Sequence, residues 1–382
     1  MKKNLLSWEE TLFRDPDVFE LNYVPEQFDY RDEQTETLAF AIRPGLRGGK
    51  ILDTVCRGPP STGKTTSVKK IFEEVVETTK SIVPVYVNCR IDNTEYAILT
   101  RIYTELTKFG APPSGTSVRQ ILDFIGQYIQ KEGVQPLVCL DDANYLIYDD
   151  HFNEVLYPLS RIHETYPGIY MGLIVIISDP EIDLLEKMDV RVQSTFHPEI
   201  IHYPPYSARE MAGILDTRVK AGLFPHVFPP DILDKVVEHC MAVGDVRMGL
   251  NLIKRSVLYA ERAARKVVSE EDLDKAIISA RDSQLSDLLI YLSNDEKLVL
   301  KTAAELFTPE KSPTTKEIIN ALPPTGPKLT KVSEIFNRLE KLRLIDLEYS
   351  NAGSGRRRFV HIHGDFQELL RVLSNQGELI NQ

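Results

Sequence analysis

No apolar run in this sequence reaches the roughly 20 residues that a membrane-spanning helix needs, so the chain reads as having no contact with a membrane. The start of the chain does not read as a secretory leader either. Met1-Lys2-Lys3 is basic, but Glu9 and Glu10 follow too soon for an apolar signal core. Cysteine is scarce. Cys56, Cys89, Cys139 and Cys240 lie far apart with no C-x-x-C spacing, which argues against a zinc ribbon or a redox pair. The first three fall in apolar runs that read as strands, so they read as small core residues of a protein kept in a reducing, cytoplasmic compartment. A surplus of positive charge is also lacking: the net charge is −11, which excludes indiscriminate nucleic-acid binding by the whole surface. The acidity is uneven, however. Lys311 to His363 holds ten Lys and Arg against five Asp and Glu, a local basic patch that suits one dedicated DNA-binding module. The 382 residues have room for two or three domains of roughly 100–200 residues each.

What is present is organised around Gly58-Pro59-Pro60-Ser61-Thr62-Gly63-Lys64-Thr65. Its G-x-x-x-x-G-K-T spacing is that of a Walker A loop, whose backbone N–H groups cradle phosphate oxygens. Lys64 would reach the β- and γ-phosphates and the Thr65 hydroxyl would ligand Mg²⁺. Ile51–Cys56 before the loop reads as a short buried strand. Thr66–Glu77 after it reads as a helix with Val68, Ile71, Phe72, Val75 and Val76 on one face. The helix N-terminus would add its dipole to the site. Gly58, Pro59, Ser61, Thr62, Gly63, Lys64, Thr65 and Thr66 are therefore the nucleotide-binding candidates of this segment, with ATP or ADP and Mg²⁺ as ligands.

Upstream, Tyr23-Val24-Pro25-Glu26 reads as a docked extended segment, and Tyr30-Arg31-Asp32-Glu33-Gln34 opens a helix to about Ile42. That helix serves either as one wall of an adenine pocket, with Tyr30 and Arg31 among the binding residues, or as a plain surface helix. Downstream, Val83–Cys89 reads as a second strand, Thr94–Tyr103 as a helix with a polar start that suits a surface insertion, and Ser117–Glu132 as another helix.

Pro136-Leu137-Val138-Cys139-Leu140-Asp141-Asp142 has the Walker B form, a buried strand presenting carboxylates at its C-terminal end. Asp141 would hold Mg²⁺ through water, and Asp142 would polarise the attacking water. Asp142 is one methylene shorter than the Glu common at this place, so hydrolysis is expected to be slow. Gly172–Ile177 is a fourth buried strand ending in Ser178-Asp179, polar residues placed to sense the γ-phosphate. Arg191, in Asp189-Val190-Arg191-Val192, is either an arginine finger or half of a structural ion pair.

At Tyr203-Pro204-Pro205-Tyr206-Ser207 buried β runs give way to helices, a domain boundary. Gly244-Asp245-Val246-Arg247 starts one of them, and an arginine there can reach across to the γ-phosphate. Ser269-Glu270-Glu271-Asp272 resembles a capping box. From Leu288 a third unit begins: a helix to Leu306, a short helix Thr315–Leu322, a turn, and a helix Thr330–Leu342. A hairpin of Ile345–Tyr349 and Phe359–Ile362 follows, with Arg356-Arg357-Arg358 at its tip. Three helices and a basic hairpin make a winged helix. It would contact DNA through Lys328, Thr330, Lys331, Asn337, Arg338, Arg356, Arg357 and Arg358, unless it serves protein contacts instead.

With these segments in this order, and with Val87-Asn88-Cys89-Arg90 among them, the chain resembles the archaeal origin-recognition initiators of the Orc/Cdc type, a branch of the AAA+ ATPases. The resemblance covers nearly the whole chain. It implies an α/β fold with a parallel-sheet AAA+ core over residues 1–203, a helical lid over 204–287 and a winged-helix DNA-binding domain over 288–382. It makes Arg247 the sensor-2 arginine, sets Tyr206 and Arg218 near the nucleotide at the hinge, and places Thr94–Tyr103 in an insertion that touches DNA. It implies double-stranded origin DNA as partner, with the replicative helicase and other initiator subunits beyond it, in a cytoplasmic, nucleoid-associated protein. The departures are Asp142 in place of Glu and Ser178-Asp179 in place of Asn, and both bear on turnover rather than binding. Two other functions fit the same parts: a branch-migration type motor and a regulator that keeps ADP and does not hydrolyse.

Overall fold

The computed structural model describes residues 11–26, 28–290, 292–308, 311–324, 326–342, 344–350, 357–362, 369–371 and 373, with backbone alone for 281–288, 290, 329, 330, 341, 349, 350 and 357. The chain divides into two compact units, Met1–Ser269 and Glu270–Gln382.

In the first unit, α1 (Asp32–Ile42) precedes β1 (Thr54–Arg57), α2 (Lys64–Thr78), β2 (Ile82–Asn88), α3 (Glu95–Thr107), α4 (Val118–Glu132) and β3 (Gln135–Asp141). Short helices α5 (Asn144–Tyr148), α6 (Phe152–Ser160) and α7 (Ile162–Thr165) lead to β4 (Gly172–Ile177). Then come α8 (Leu184–Lys187), α9 (Val190–Gln193) and β5 (Glu199–His202). The five strands form one parallel sheet in the order β2-β3-β4-β1-β5. Both faces of the sheet are covered, which is why the strands read as unbroken apolar runs. Val138 and Leu140 of β3 face a core shared with α3, α4 and α6, while Leu137 and Cys139 face a core shared with α1 and α2. All four cysteines are buried and unpaired.

The chain leaves β1 toward β2 on one side of the sheet and leaves β4 toward β5 on the other. Neighbouring strands whose connections part in this way open a crevice at their carboxyl ends. The first strand is shorter than its apolar run. Leu52 donates its N–H to the Ala41 carbonyl at 3.0 Å, which turns it toward the end of α1, while the Asp53 carbonyl accepts from the Glu199 N–H of β5 at 2.9 Å. The helix expected over Thr94–Tyr103 is α3, which runs on to Thr107 and packs one face into the sheet's core. Ile98, Leu99, Ile102 and Leu106 sit in the main core.

Helices α10 (Ala208–Gly222), α11 (Pro230–Val243) and α12 (Val246–Arg262) follow the sheet. A capping box of Ser207 and Glu210 starts α10 immediately after Tyr206. The lead-in packs on these helices: Phe13 bridges Leu223, Arg14 donates its N–H to the Gly222 carbonyl at 2.9 Å, and Lys254 pairs with Glu20.

The second unit contains α13 (Glu270–Ile290), α14 (Asn294–Leu306), α15 (Thr315–Ala321), α16 (Leu329–Lys341) and an antiparallel hairpin of β6 (Ile345–Ser350) and β7 (Arg357–Ile362). Val299, Leu300, Ile318, Val332, Ile335, Phe336, Leu339, Ile345 and Val360 of these helices and the hairpin share one core. The single helix expected from Leu288 to Leu306 is two. Ser293 accepts from the Glu296 N–H and Glu296 reaches back to the Ser293 N–H, a capping box that starts α14 afresh. Among the described residues no helix is long and apolar enough to cross a membrane.

Candidate functional site

A cleft of about 770 Å³ opens at the carboxyl ends of the strands and runs to the helices after the sheet. One wall is the loop between β1 and α2. Gly63 caps α2 with a φ of 89°, and a Cβ there would lie 2.5 Å from the Tyr206 hydroxyl, so only glycine admits both the turn and the packed phenol. Thr62 Oγ1 donates to the Pro59 carbonyl at 2.9 Å and tightens the loop. Lys64 Nζ donates to the carbonyls of Gly58 and Pro59 at 2.8 and 2.6 Å. Burial pushes its ammonium down to about 8, against the pull of Asp141 and Asp142.

Asp141 ends β3 beside α2. Its Oδ2 accepts from Thr65 Oγ1 at 2.8 Å and from Tyr86 Oη at 2.6 Å, and its Oδ1 accepts from the Asp142 N–H at 3.0 Å. Burial raises the Asp141 carboxyl, and the bond from Tyr86 works against that rise. A hydroxyl and a carboxylate oxygen meeting at 2.8 Å are two hard donors that fit Mg²⁺. Among the described residues no three His, Cys, Asp or Glu converge on one point, so an all-protein cage is not formed. A cation at Thr65 and Asp141 would complete its shell with phosphate and water oxygens.

Asp142 has a φ of 54°, and its Oδ1 accepts from Ser178 Oγ at 3.2 Å. Asp179 Oδ2 accepts from Tyr148 Oη at 2.5 Å, and burial with that bond pushes the phenol up to about 12. From the facing wall comes Arg247, on the first turn of α12, with Nη2 2.9 Å from Asp245 Oδ2. The less polar part of the lining is Val24, Pro25 and Phe28 of the lead-in with Ile214 of α10 and Leu250 of α12. Arg218 lines the cleft too. Its guanidinium lies 4.7 Å from the Tyr23 ring centre and donates to the Val18 carbonyl at 3.0 Å.

The structure thus brings Ser61, Thr62, Gly63, Lys64, Thr65, Thr66, Asp141, Asp142, Ser178, Asp179, Tyr206, Arg218 and Arg247 to one cleft. Five expected residues stand elsewhere. Gly58 and Pro59 do not line the cleft and offer carbonyls to Lys64. Tyr30 packs against α10 at Gly213, and Arg31 is buried beneath the loop. Arg191 is 72 % exposed on α9, outside the cleft and paired with Asp189 at 2.7 Å. Motif reading missed Tyr86, because nothing local says that β2 lies next to β3. It also missed Phe28, Ile214 and Leu250, whose apolar character reads as ordinary packing, and Thr217.

In the second unit Lys328, Lys331, Asn337 and Arg338 are exposed along α16. Lys331 pairs with Asp295 at 2.7 Å and Arg338 with Glu296 at 3.2 Å, both acids lying at the start of α14. Arg358 Nη2 donates to Asn337 Oδ1 at 2.7 Å across to β7. Thr330 lies on α16 and Arg357 opens β7, whereas Arg356 lies outside the described residues.

The AAA domain family matches residues 53–184, and the Cdc6 AAA+ ATPase-type lid domain family matches residues 212–277. The chain is 38 % identical over 373 residues to ORC1-type DNA replication protein 6 of Halobacterium salinarum, covering 97 % of this chain and 99 % of that one. It is 37 % identical to ORC1-type DNA replication protein 2 of Methanosarcina acetivorans, over 97 % of this chain and 98 % of that one. Among solved structures, the fold is similar to the Aeropyrum pernix ORC1 protein in complex with DNA. The TM-score is 0.83 at 24 % identity, over 98 % of this chain and 100 % of that chain. The Aeropyrum pernix ORC2 protein in ADPNP–ADP complexes aligns with a TM-score of 0.62 at 24 % identity, over 95 % and 98 %.

Proposed function

The chain belongs to the family of ORC1-type DNA replication proteins, and from that premise we propose how its cleft and its second unit divide the task. It is an ATP-binding DNA replication initiator. In our reading the phosphates lie along Thr62–Thr66, and the base lies at the less polar part of the lining, between Phe28 and Ile214. Lys64 meets the β- and γ-phosphates from the loop. Arg247 meets the γ-phosphate from α12, so the angle between sheet and lid follows the nucleotide state. The observation that carries this reading is that Lys64, Thr65, Asp141 and Arg247, from both sides of the cleft, face the same space. Mg²⁺ held at Thr65 and Asp141 would neutralise phosphate charge. Asp142 would orient water for a slow hydrolysis.

The second unit would take double-stranded origin DNA, with α16 in the major groove and the hairpin along the backbone or the adjacent minor groove. The exposed side of α3, where Tyr96 and Arg101 stand, would give a second contact. Recruitment of the replicative helicase, with other initiator subunits, would be the outcome. The test is footprinting on genomic DNA with and without ATP, joined to phosphate release with and without duplex. A localised footprint that changes with ATP, with slow release, supports the initiator. Turnover strongly stimulated by DNA without a localised footprint favours a motor. The bond from Ser178 to the short Asp142 carboxylate favours a second reading, a regulator that retains ADP. Its sign would be a footprint indifferent to ATP and no phosphate release.

A further inference from the structure

Arg31 was expected beside the nucleotide, yet it is 2 % exposed and does not line the cleft. Its guanidinium is spent on three backbone carbonyls and one ring. Nε donates to Thr62 O at 2.8 Å, Nη1 to Tyr30 O at 2.8 Å, and Nη2 to Pro204 O at 2.6 Å. The plane stacks on Tyr206, 3.8 Å from the ring centre. A buried cation bonded to neutral carbonyls and stacked on a π face costs desolvation unless these partners stay in place. Such a fork fixes the geometry of all the groups it touches.

Those groups belong to three parts of the unit. Thr62 is in the phosphate loop. In a trans peptide the C=O and the following N–H point in opposite directions, and the described backbone has no cis bonds. By drawing the Thr62 carbonyl inward, Arg31 therefore turns the Gly63 N–H away from itself, and Gly63 lines the cleft. Tyr30 and Pro204 lie on the two stretches of chain that pass between sheet and lid helices. Tyr206 is the last residue but one before α10, whose cap is Ser207. Tyr30 also touches α10 directly: a Cβ on Gly213 would lie 2.1 Å from its hydroxyl, so the helix accepts the phenol only where a side chain is missing.

We infer that Arg31 is a positioning residue that couples occupancy of the phosphate loop to the angle of the lid. An anion on the Gly63 N–H polarises the Thr62 peptide and strengthens its bond to Arg31. The same guanidinium fixes the Pro204 carbonyl and the Tyr206 ring, so tightening on one side steadies the start of α10 on the other. This rests on the reading of the nucleotide as a switch of lid angle.

The test uses the full chain at saturating ADP, so that a changed affinity does not enter the result. Hydrogen exchange is read at the first turns of α10, with and without ADP. In the parent protein ADP should slow exchange there by about tenfold, and in Arg31→Lys, which keeps the charge but loses the fork and the plane, by less than about twofold. Tyr206→Phe keeps the ring face and should preserve the parent response, whereas Tyr206→Leu should lose it. This second pair carries the test if Arg31→Lys does not fold. A folded, ADP-saturated Arg31→Lys with the full parent response overturns the coupling and leaves the lid switch standing. So does a Tyr206→Leu that responds as fully as Tyr206→Phe. A parent protein whose α10 exchange ignores ADP removes the switch and the coupling together.

Discussion

The cleft of the first unit and the basic face of the second both present cations, and they hold them in opposite ways. Lys64 is 4 % exposed and bonded to backbone carbonyls, which orient its charge without cancelling it. Lys331 and Arg338 are more than half exposed and paired with carboxylates of α14, which cancel the charge locally. An anion entering the cleft meets a field already aimed, concentrated by a low local dielectric. A phosphate reaching α16 must displace Asp295 and Glu296 first, in water and under salt screening. The first site is built for affinity. If it takes DNA as proposed, the second would exchange one set of partners for another, and its strength would follow ionic conditions.

The sharpest way to break this contrast is Lys64→Ala. Loss of a buried, charge-assisted contact should weaken ADP and ATP-analogue binding by about a hundredfold or more in calorimetry. Undiminished affinity would show that the carbonyl-held ammonium is not the anchor. Asp142→Glu comes next. The longer carboxylate should reach past Ser178 toward the attacking water and raise single-turnover hydrolysis by up to about a hundredfold, the scale on which misplacement of about 1 Å is felt. A rate unchanged or lowered would mean that Asp142 is already placed or that another step limits. For Arg247→Ala the affinity for an ATP analogue should fall by about tenfold while ADP affinity holds, because the γ-phosphate that Arg247 would meet is absent from ADP. Equal losses for both nucleotides would make Arg247 a structural partner of Asp245. The smallest effect belongs to the second unit. Asp295→Asn frees Lys331 and should tighten duplex binding by no more than about fivefold at low salt. Each phosphate contact so gained should steepen log K against log salt by about 0.9. Weaker binding in that variant would show that the pair holds α16 in its binding form.

The same contrast explains what could be read in advance. The phosphate loop and the Asp141-Asp142 strand were legible because one short run of residues supplies both the backbone geometry and the chemistry. The buried parallel strands were legible because both faces of the sheet are covered, leaving apolar runs of the right length. Tyr86 was not, since its partner Asp141 lies 55 positions away and becomes a neighbour only through the strand order. Arg31 was read as a ligand contact because it stands in a motif beside the site. Its actual partners are carbonyl oxygens of Thr62, Tyr30 and Pro204, which any residue type supplies and no sequence advertises. The helix break before Asn294 was written in Ser293 and Glu296, but the apolar spacing on either side masked it. The acids opposing Lys331 and Arg338 lie on another helix, so a count of charges along the chain overstated the free positive charge of α16.

The lead-in has a consequence in time. Residues Glu20–Pro25 line the cleft, and the chain just before them is bonded to the end of α10 through Arg14 and Phe13, with Lys254 of α12 gripping Glu20. A molecule seated against these residues would be held in part by this strap and by the helices it rides on. Its dwell would then depend on the peeling of a stretch of chain as well as on the contacts it makes itself. Two proteins with the same phosphate loop and the same affinity would keep their nucleotide for very different intervals if one lacked the strap. The short N-terminal segment would thus act as the escapement of the molecule's clock.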